Sequence, residues 1–174
     1  MEIEIRNYQL VDPYIIKKIC PEITSSVDDS LISGFILDIQ EAYIESILGE
    51  TLYQEILGQH SGNTLTTANS YLYNTFITKI IAKRIAIRIM YSTTYQFENS
   101  GIRVKEGTGQ SRSAEPSEIV TMKQFYESEA DRISQNMLEF MYDNINDYKG
   151  FYNTPFYEER TQRSAFSRIS FGGF

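Results

Sequence analysis

The sequence predicts an all-α chain: a small helical bundle of about four helices, with a long loop or β-hairpin between the last two long helices and an extended C-terminal arm. Three observations lead there. Apolar residues recur at spacings of three and four through long stretches, the period of helices that bury one face. Residues 97–115 break that period around Gly101, Gly107 and Gly109. The last 27 residues, 148–174, keep no helical period yet hold eight of the chain's 23 aromatics.

Residues 1–24 alternate weakly at Ile3, Ile5 and Tyr8, and Pro13 opens a short helix through Cys20, before Pro21. The first long helix starts at Asp28-Asp29-Ser30, residue types that cap helix N-termini, and stops at Gly49. Its apolar residues cover most of its circumference and leave Asp38, Glu41 and Glu45 as a narrow charged stripe, the pattern of a central helix. A short helix over 51–57 follows and ends in a turn over 58–63. The stretch 67–96 is rich in isoleucine, but thirty residues at the helical period without Gly or Pro exclude a strand. The last helix runs over 116–146, with Pro116 in its first turn. Met122, Tyr126, Ile133, Met137, Phe140 and Met141 form its buried stripe, and Glu127, Asp131, Gln135 and Glu139 its wet side. The organisation is therefore a helical domain over 1–147, with 97–115 as a loop insertion, followed by the arm 148–174. Loops of that length inside a compact domain are uncommon and usually functional.

Composition narrows the chemistry. The chain has 174 residues, 41% hydrophobic and 22% charged, enough for a core without disulfides. One cysteine, Cys20, allows no internal disulfide and no multi-cysteine zinc pattern, and one histidine, His60, allows no two-histidine metal site. A net charge of −7 argues against a general nucleic-acid clamp. Lys83, Arg84 and Arg88 interrupt the most apolar region, so no stretch reads as a membrane span. Met1-Glu2-Ile3-Glu4 does not read as a signal peptide, and the expectation is a soluble chain made in a reducing compartment. His60 sits in a Gly58–Gly62 run that reads as an exposed turn, and Cys20 reads as a small buried hydrophobe. Gly107-Thr108-Gly109 lacks the strand and lysine of a phosphate loop. No catalytic residue, metal site or cofactor is expected.

Two groups of residues stand out. Arg84 and Arg88 fall inside the apolar arc of their helix, where a charge is costly unless paired. Their natural partners are Asp38, Glu41 and Glu45, within one subunit or between subunits; otherwise both arginines snorkel to the rim. The arm carries Phe151, Tyr152, Phe156, Tyr157, Phe166, Phe171 and Phe174 with Arg160, Arg163 and Arg168. Aromatics and arginines dominate interface hot spots, so the arm reads as a segment that docks on a neighbouring subunit or a partner; wrapping over its own domain is the other outcome.

The segment ISGFILDIQEAYIESILGETLYQEIL, residues 32–57, resembles the first helix and Leu-Gly break of tailed-bacteriophage head–tail connector proteins, also called adaptor or head-completion proteins. Leu48-Gly49 matches the break and Leu52-Tyr53 the short helix after it; a long helix, a Gly-rich excursion from Gly101 and a final amphipathic helix follow in the same order. The resemblance covers about residues 22–150 and is strongest to connectors of Bacteroidetes-infecting phages, crAss-like phages among them. It implies a non-enzymatic virion protein of the head–tail neck, made in the bacterial host cytoplasm. It further implies a dodecameric homo-oligomeric ring that binds the portal protein and other neck or tail proteins, with DNA passing through its lumen without sequence-specific binding and no membrane contact. The alternative is a small helical regulatory or adaptor protein that binds one partner through its tail. A Mg²⁺-dependent hydrolase would need Asp38, Glu41 and Glu45 to share a cavity.

Overall fold

The computed structural model describes residues 8–23, 27–95, 103–105, 111–113 and 115–158. Local chemistry fixes where the helices start. Asp12 accepts a hydrogen bond from the Tyr14 amide at 2.7 Å and Pro13 follows it, opening α1 (Pro13–Ile19). Asp28 does the same for the Ser30 amide at 2.8 Å, opening α2 (Asp29–Ile39). This helix continues without a break through a π-helical turn (Gln40–Ile44) into α3 (Glu45–Leu48). Gly49 ends it at φ +78°, a conformation that favours glycine, and α4 (Glu50–Ser61) departs in a new direction. The short helix expected over 51–57 thus runs on through Gly58 and His60. Gly58 is no obstacle inside a helix, and the turn comes at Gly62 and Asn63, which has φ 56°.

Thr66 accepts from the Asn69 amide at 3.1 Å and caps α5 (Thr67–Leu72). A second π turn (Tyr73–Ile77) leads directly into α6 (Thr78–Tyr95). Two short antiparallel strands, β1 (Arg103–Lys105) and β2 (Ser111–Ser113), pair Val104 with Arg112 and form the hairpin that the sequence left open. A reciprocal capping box between Glu115 and Glu118 starts α7 (Pro116–Asp143). A 3₁₀ turn (Lys149–Asn153) follows.

The protein is an all-α bundle with the small hairpin inserted between α6 and α7. α7 packs along one side of α6, while α1 and α2 pack on others. The enclosed helix is therefore α6, which buries Ile80, Ile81, Ala82, Ile85, Ala86, Ile87, Ile89 and Met90. The first long helix keeps an open face along Gly34, Asp38, Glu41 and Ala42 instead. α7 buries Tyr126, Ala130, Met137 and Met141, but Met122, expected in its buried stripe, is 37% exposed. The stripe continues past the end of the core it was read to cover.

The two π turns tie down the chain's beginning. Each inserts an extra residue in a helical turn and so re-aims the side chains around it. Gln40 is fully buried and grips the backbone of residues 8–10, accepting from the Leu10 amide at 3.0 Å and donating to the Tyr8 carbonyl at 2.7 Å. From the other π turn the Tyr73 hydroxyl donates to the Leu10 carbonyl at 2.7 Å.

Candidate functional site

The expected ion pairs resolve differently for the two arginines. Arg84 reaches α7, where its guanidinium forms a short ion pair with Asp131 and donates to the Tyr43 hydroxyl at 2.6 Å. The guanidinium also stacks 4.2 Å from the Tyr43 ring centroid. The Tyr43 hydroxyl lies 3.3 Å from Ser134, whose own hydroxyl donates to the Ala130 carbonyl at 2.7 Å. Arg84 therefore stitches three elements together, with Asp131 as its acid in place of Asp38, Glu41 or Glu45. The reason is tertiary: α7 lies against the flank of α6 that carries Arg84. Arg88 does approach Asp38, but at 3.9 Å and with both side chains more than half exposed, which makes it a rim pair. Glu41 and Glu45 make no ion pair with a described cation.

The root of the arm belongs to the domain's own core, contrary to an arm extended from residue 148. Tyr148 and Phe151 are buried, and the Tyr148 hydroxyl donates to the Ala68 carbonyl at 2.9 Å. Gly150 lies against α4 so closely that a Cβ there would stand 3.1 Å from the Leu52 nitrogen. Thr154 is buried over Gly49, where a Cβ would meet its methyl group at 2.9 Å. The Leu48-Gly49 break and the start of the arm thus lock into one another. Tyr157 packs against Phe151, Tyr142 and Tyr152, while Tyr152 and Phe156 are 39% and 44% exposed. Arg160, Arg163, Phe166, Arg168, Phe171 and Phe174 lie outside the described residues.

His60 is not a solvated loop residue. It sits in the last turn of α4, with its ring centroid 4.5 Å from that of Tyr73 and its Nδ1 3.2 Å from the Tyr8 hydroxyl. Burial holds its pKa below the ordinary histidine value. Cys20 is buried, and burial pushes its thiol up to about 11, the opposite of an activated nucleophile. Among the described residues no group of three His, Cys, Asp or Glu side chains is placed to hold a metal ion, and no helix is long and apolar enough to cross a membrane.

Two further surfaces of the described residues stand out. One is on the first half of α7, where Met122 and Phe125, 37% and 57% exposed, share a face with Ser117 and Thr121, while Val120, 51% exposed, lies on another side of the helix. Lys123 sits 3.6 Å over the ring of the exposed Tyr91. The other is a groove of about 380 Å³ between α6 and α7, closed at one side by Ile19 of α1. Its floor is Phe76 and Ile133, and Lys79, Lys83 and Arg132 stand around it with one acid, Glu129. Arg132 pairs with Glu129 at 3.2 Å and holds that carboxyl below its usual range. Lys83 lies 4.7 Å over the Tyr126 ring. Lys83 is among the basic residues that interrupt the most apolar region of the sequence, and only the packing of α7 brings Arg132 to it.

A model of a family of unknown function, DUF6712, matches residues 44–161, more than half of the chain. The chain belongs to DUF6712. No curated protein matches it, and no solved structure does. The DUF6712 match contains the Gly49–Gly150–Thr154 lock, Arg84 with Asp131, the whole groove apart from Ile19, and the exposed Met122 and Phe125 of α7. Asp38, Glu41, Gln40 and the segment that Gln40 grips precede it. The described surface of this member of DUF6712 thus carries an exposed apolar pair on α7, a basic groove and an acidic ridge.

Proposed function

We propose that this chain is a structural, ring-forming connector of the phage head–tail neck, joining the portal and capsid vertex to the tail with a DNA-conducting lumen. The observation that carries the reading is the uncovered apolar pair Met122 and Phe125 on the first half of α7. Three residues apart, they lie on one helix face beside Ser117 and Thr121 and are open to water. Large apolar side chains left exposed together on one face suit a chain that works against another protein. The order of elements adds support, because the helix that ends at Leu48-Gly49, the long helix, the excursion and the final helix follow the connector pattern. The net charge of −7 suits a conduit that must release DNA, since a basic lumen would hold phosphates.

Negative-stain microscopy of the purified protein, alone and with its portal, tests this. Closed rings that seat on the portal are the expected images. A protein that stays monomeric in both samples is instead the small helical adaptor, and the ring is discarded.

A further inference from the structure

The basic groove and the acidic stripe occupy opposite flanks of α7. On α7, Tyr126, Ala130 and Met137 point into the core. To one side of them Glu129, Arg132, Ile133 and Asn136 line the groove shared with α1 and α6. To the other side Asp131 and Ser134 meet Tyr43, which belongs to the helix that carries Asp38, Glu41 and Glu45. That helix presents a low ridge: Gly34, Asp38, Glu41 and Ala42 are exposed, and the space around Gly34 is empty. Lys79 and Lys83 make no ion pair with a described carboxylate, just as Glu41 and Glu45 make none with a described cation. In a chain with 23 acids and 16 bases, three cations stand around this groove with one acid, Glu129.

We infer that the Lys79–Lys83–Arg132 groove receives the Asp38–Glu41–Glu45 ridge of a second copy of the chain, in a head-to-tail contact. The inference rests on the ring reading and deepens it by naming the contact between subunits. Complementary charge on opposite flanks is what a heterologous interface requires. Each copy offers a groove to one neighbour and a ridge to the other, and repetition closes a ring when the rotation permits. Small residues on the ridge let its backbone come close to the groove, so that Glu41 and Glu45 reach the lysines and Arg132.

Charge reversal at Lys79, Arg132 and Glu41, which are exposed, and at the half-buried Glu45 provides the test, read by light scattering with circular dichroism as a check on folding. The doubles Lys79→Glu/Arg132→Glu and Glu41→Lys/Glu45→Lys should each keep their helical signal. Each should need a concentration about tenfold higher or more for half-assembly, the scale on which like charges oppose an interface. The quadruple variant, with both flanks reversed, should assemble again. Should a double variant lose helicity, the neutral Lys79→Gln/Arg132→Gln and Glu41→Gln/Glu45→Gln pairs take its place, and wild-type rings should disperse as salt is raised. If wild type and both doubles form rings alike, the ring stands and this contact is overturned. If the doubles are monomeric and the quadruple stays so, the two flanks do not pair with one another, and this contact is again overturned. Wild type that is monomeric both alone and on its portal ends both readings together.

Discussion

Arg84 shows how one side chain joins helices that are distant in sequence. It is 23% exposed, its acid Asp131 is 66% exposed, and its buried Nε finds no acceptor among the described residues. Solvent screens the ion pair from the Asp131 side, so the tyrosine stacking and the hydrogen bond to Tyr43 carry a large share of the effect. Arg84→Ala should destabilise by about 1–3 kcal/mol in a denaturant titration, the range for lost hydrogen bonds to a charged group plus packing. Arg88→Ala should cost no more than about 0.5 kcal/mol, as exposed pairs do. Equal effects at the two sites would remove the distinction. His60 gives a second test. Its folded pKa lies below the unfolded value because burial disfavours the charged ring. The unfolded chain therefore binds more protons between those two values, and stability falls as pH drops through the ordinary histidine value of about 6.5. The loss levels off below the folded value. Melting temperatures of wild type should drop over that window more than those of His60→Gln, which keeps a polar group beside Tyr8. Parallel curves would show that the Tyr8–His60–Tyr73 stack does not sense the proton.

Among the elements, the informative one is the lock between the Leu48-Gly49 break and the root of the arm. Gly49 has a left-handed φ of +78°, and Gly150 touches the Leu52 backbone, so both positions exclude a side chain. Gly150→Ala should cost about 1–3 kcal/mol through overpacking against backbone that cannot give way. Cutting the chain after Tyr148 should lower the melting temperature, because Phe151 and Thr154 leave the core; burying a phenylalanine alone is worth about 1.5–3 kcal/mol. An unchanged melting temperature would mean that the arm root adds nothing to the domain. The helix start at Asp28 was legible because capping is local: Asp28 bonds to the Ser30 amide two residues on, as Asp12 and Thr66, not singled out by the sequence pattern, bond to the amides of Tyr14 and Asn69. The π turns were not legible. An added residue in one helical turn leaves the apolar period nearly intact, and Gln40 buried among isoleucines was the sole trace of the first.

At the scale of the whole molecule, the arm is rooted in the domain through Tyr148, Phe151 and Thr154. A chain ending at Glu158 keeps these three residues, so it should fold and keep its helical circular dichroism. Under the connector reading the same truncation should fail to dock on the portal, since it lacks Phe166, Phe171 and Phe174 with Arg160, Arg163 and Arg168. Co-sedimentation with the portal measures this. Wild-type binding by the truncated chain would show that docking uses another surface, with Met122 and Phe125 the next to mutate.

The sequence by itself determined the helical class, the order of the long helices, the capped start at Asp28 and the place of the insertion. All of these depend on the period of apolar residues and on hydrogen bonds between near neighbours in the chain. It also limited the chemistry, because one histidine and one cysteine leave few catalytic or metal designs open. The tertiary structure alone decided who meets whom. Arg84 was predicted from its position to need an acid, but whether that acid was Glu41 or Asp131 depended on which helix lies beside α6. Tyr148 and Phe151 read as part of an arm because no period runs through them, yet glycines at 49 and 150 let the backbone come close enough to bury both. The groove likewise exists only because α7 brings Arg132 to Lys79 and Lys83. Distances along the chain do not encode such meetings; close packing of one helix on another does.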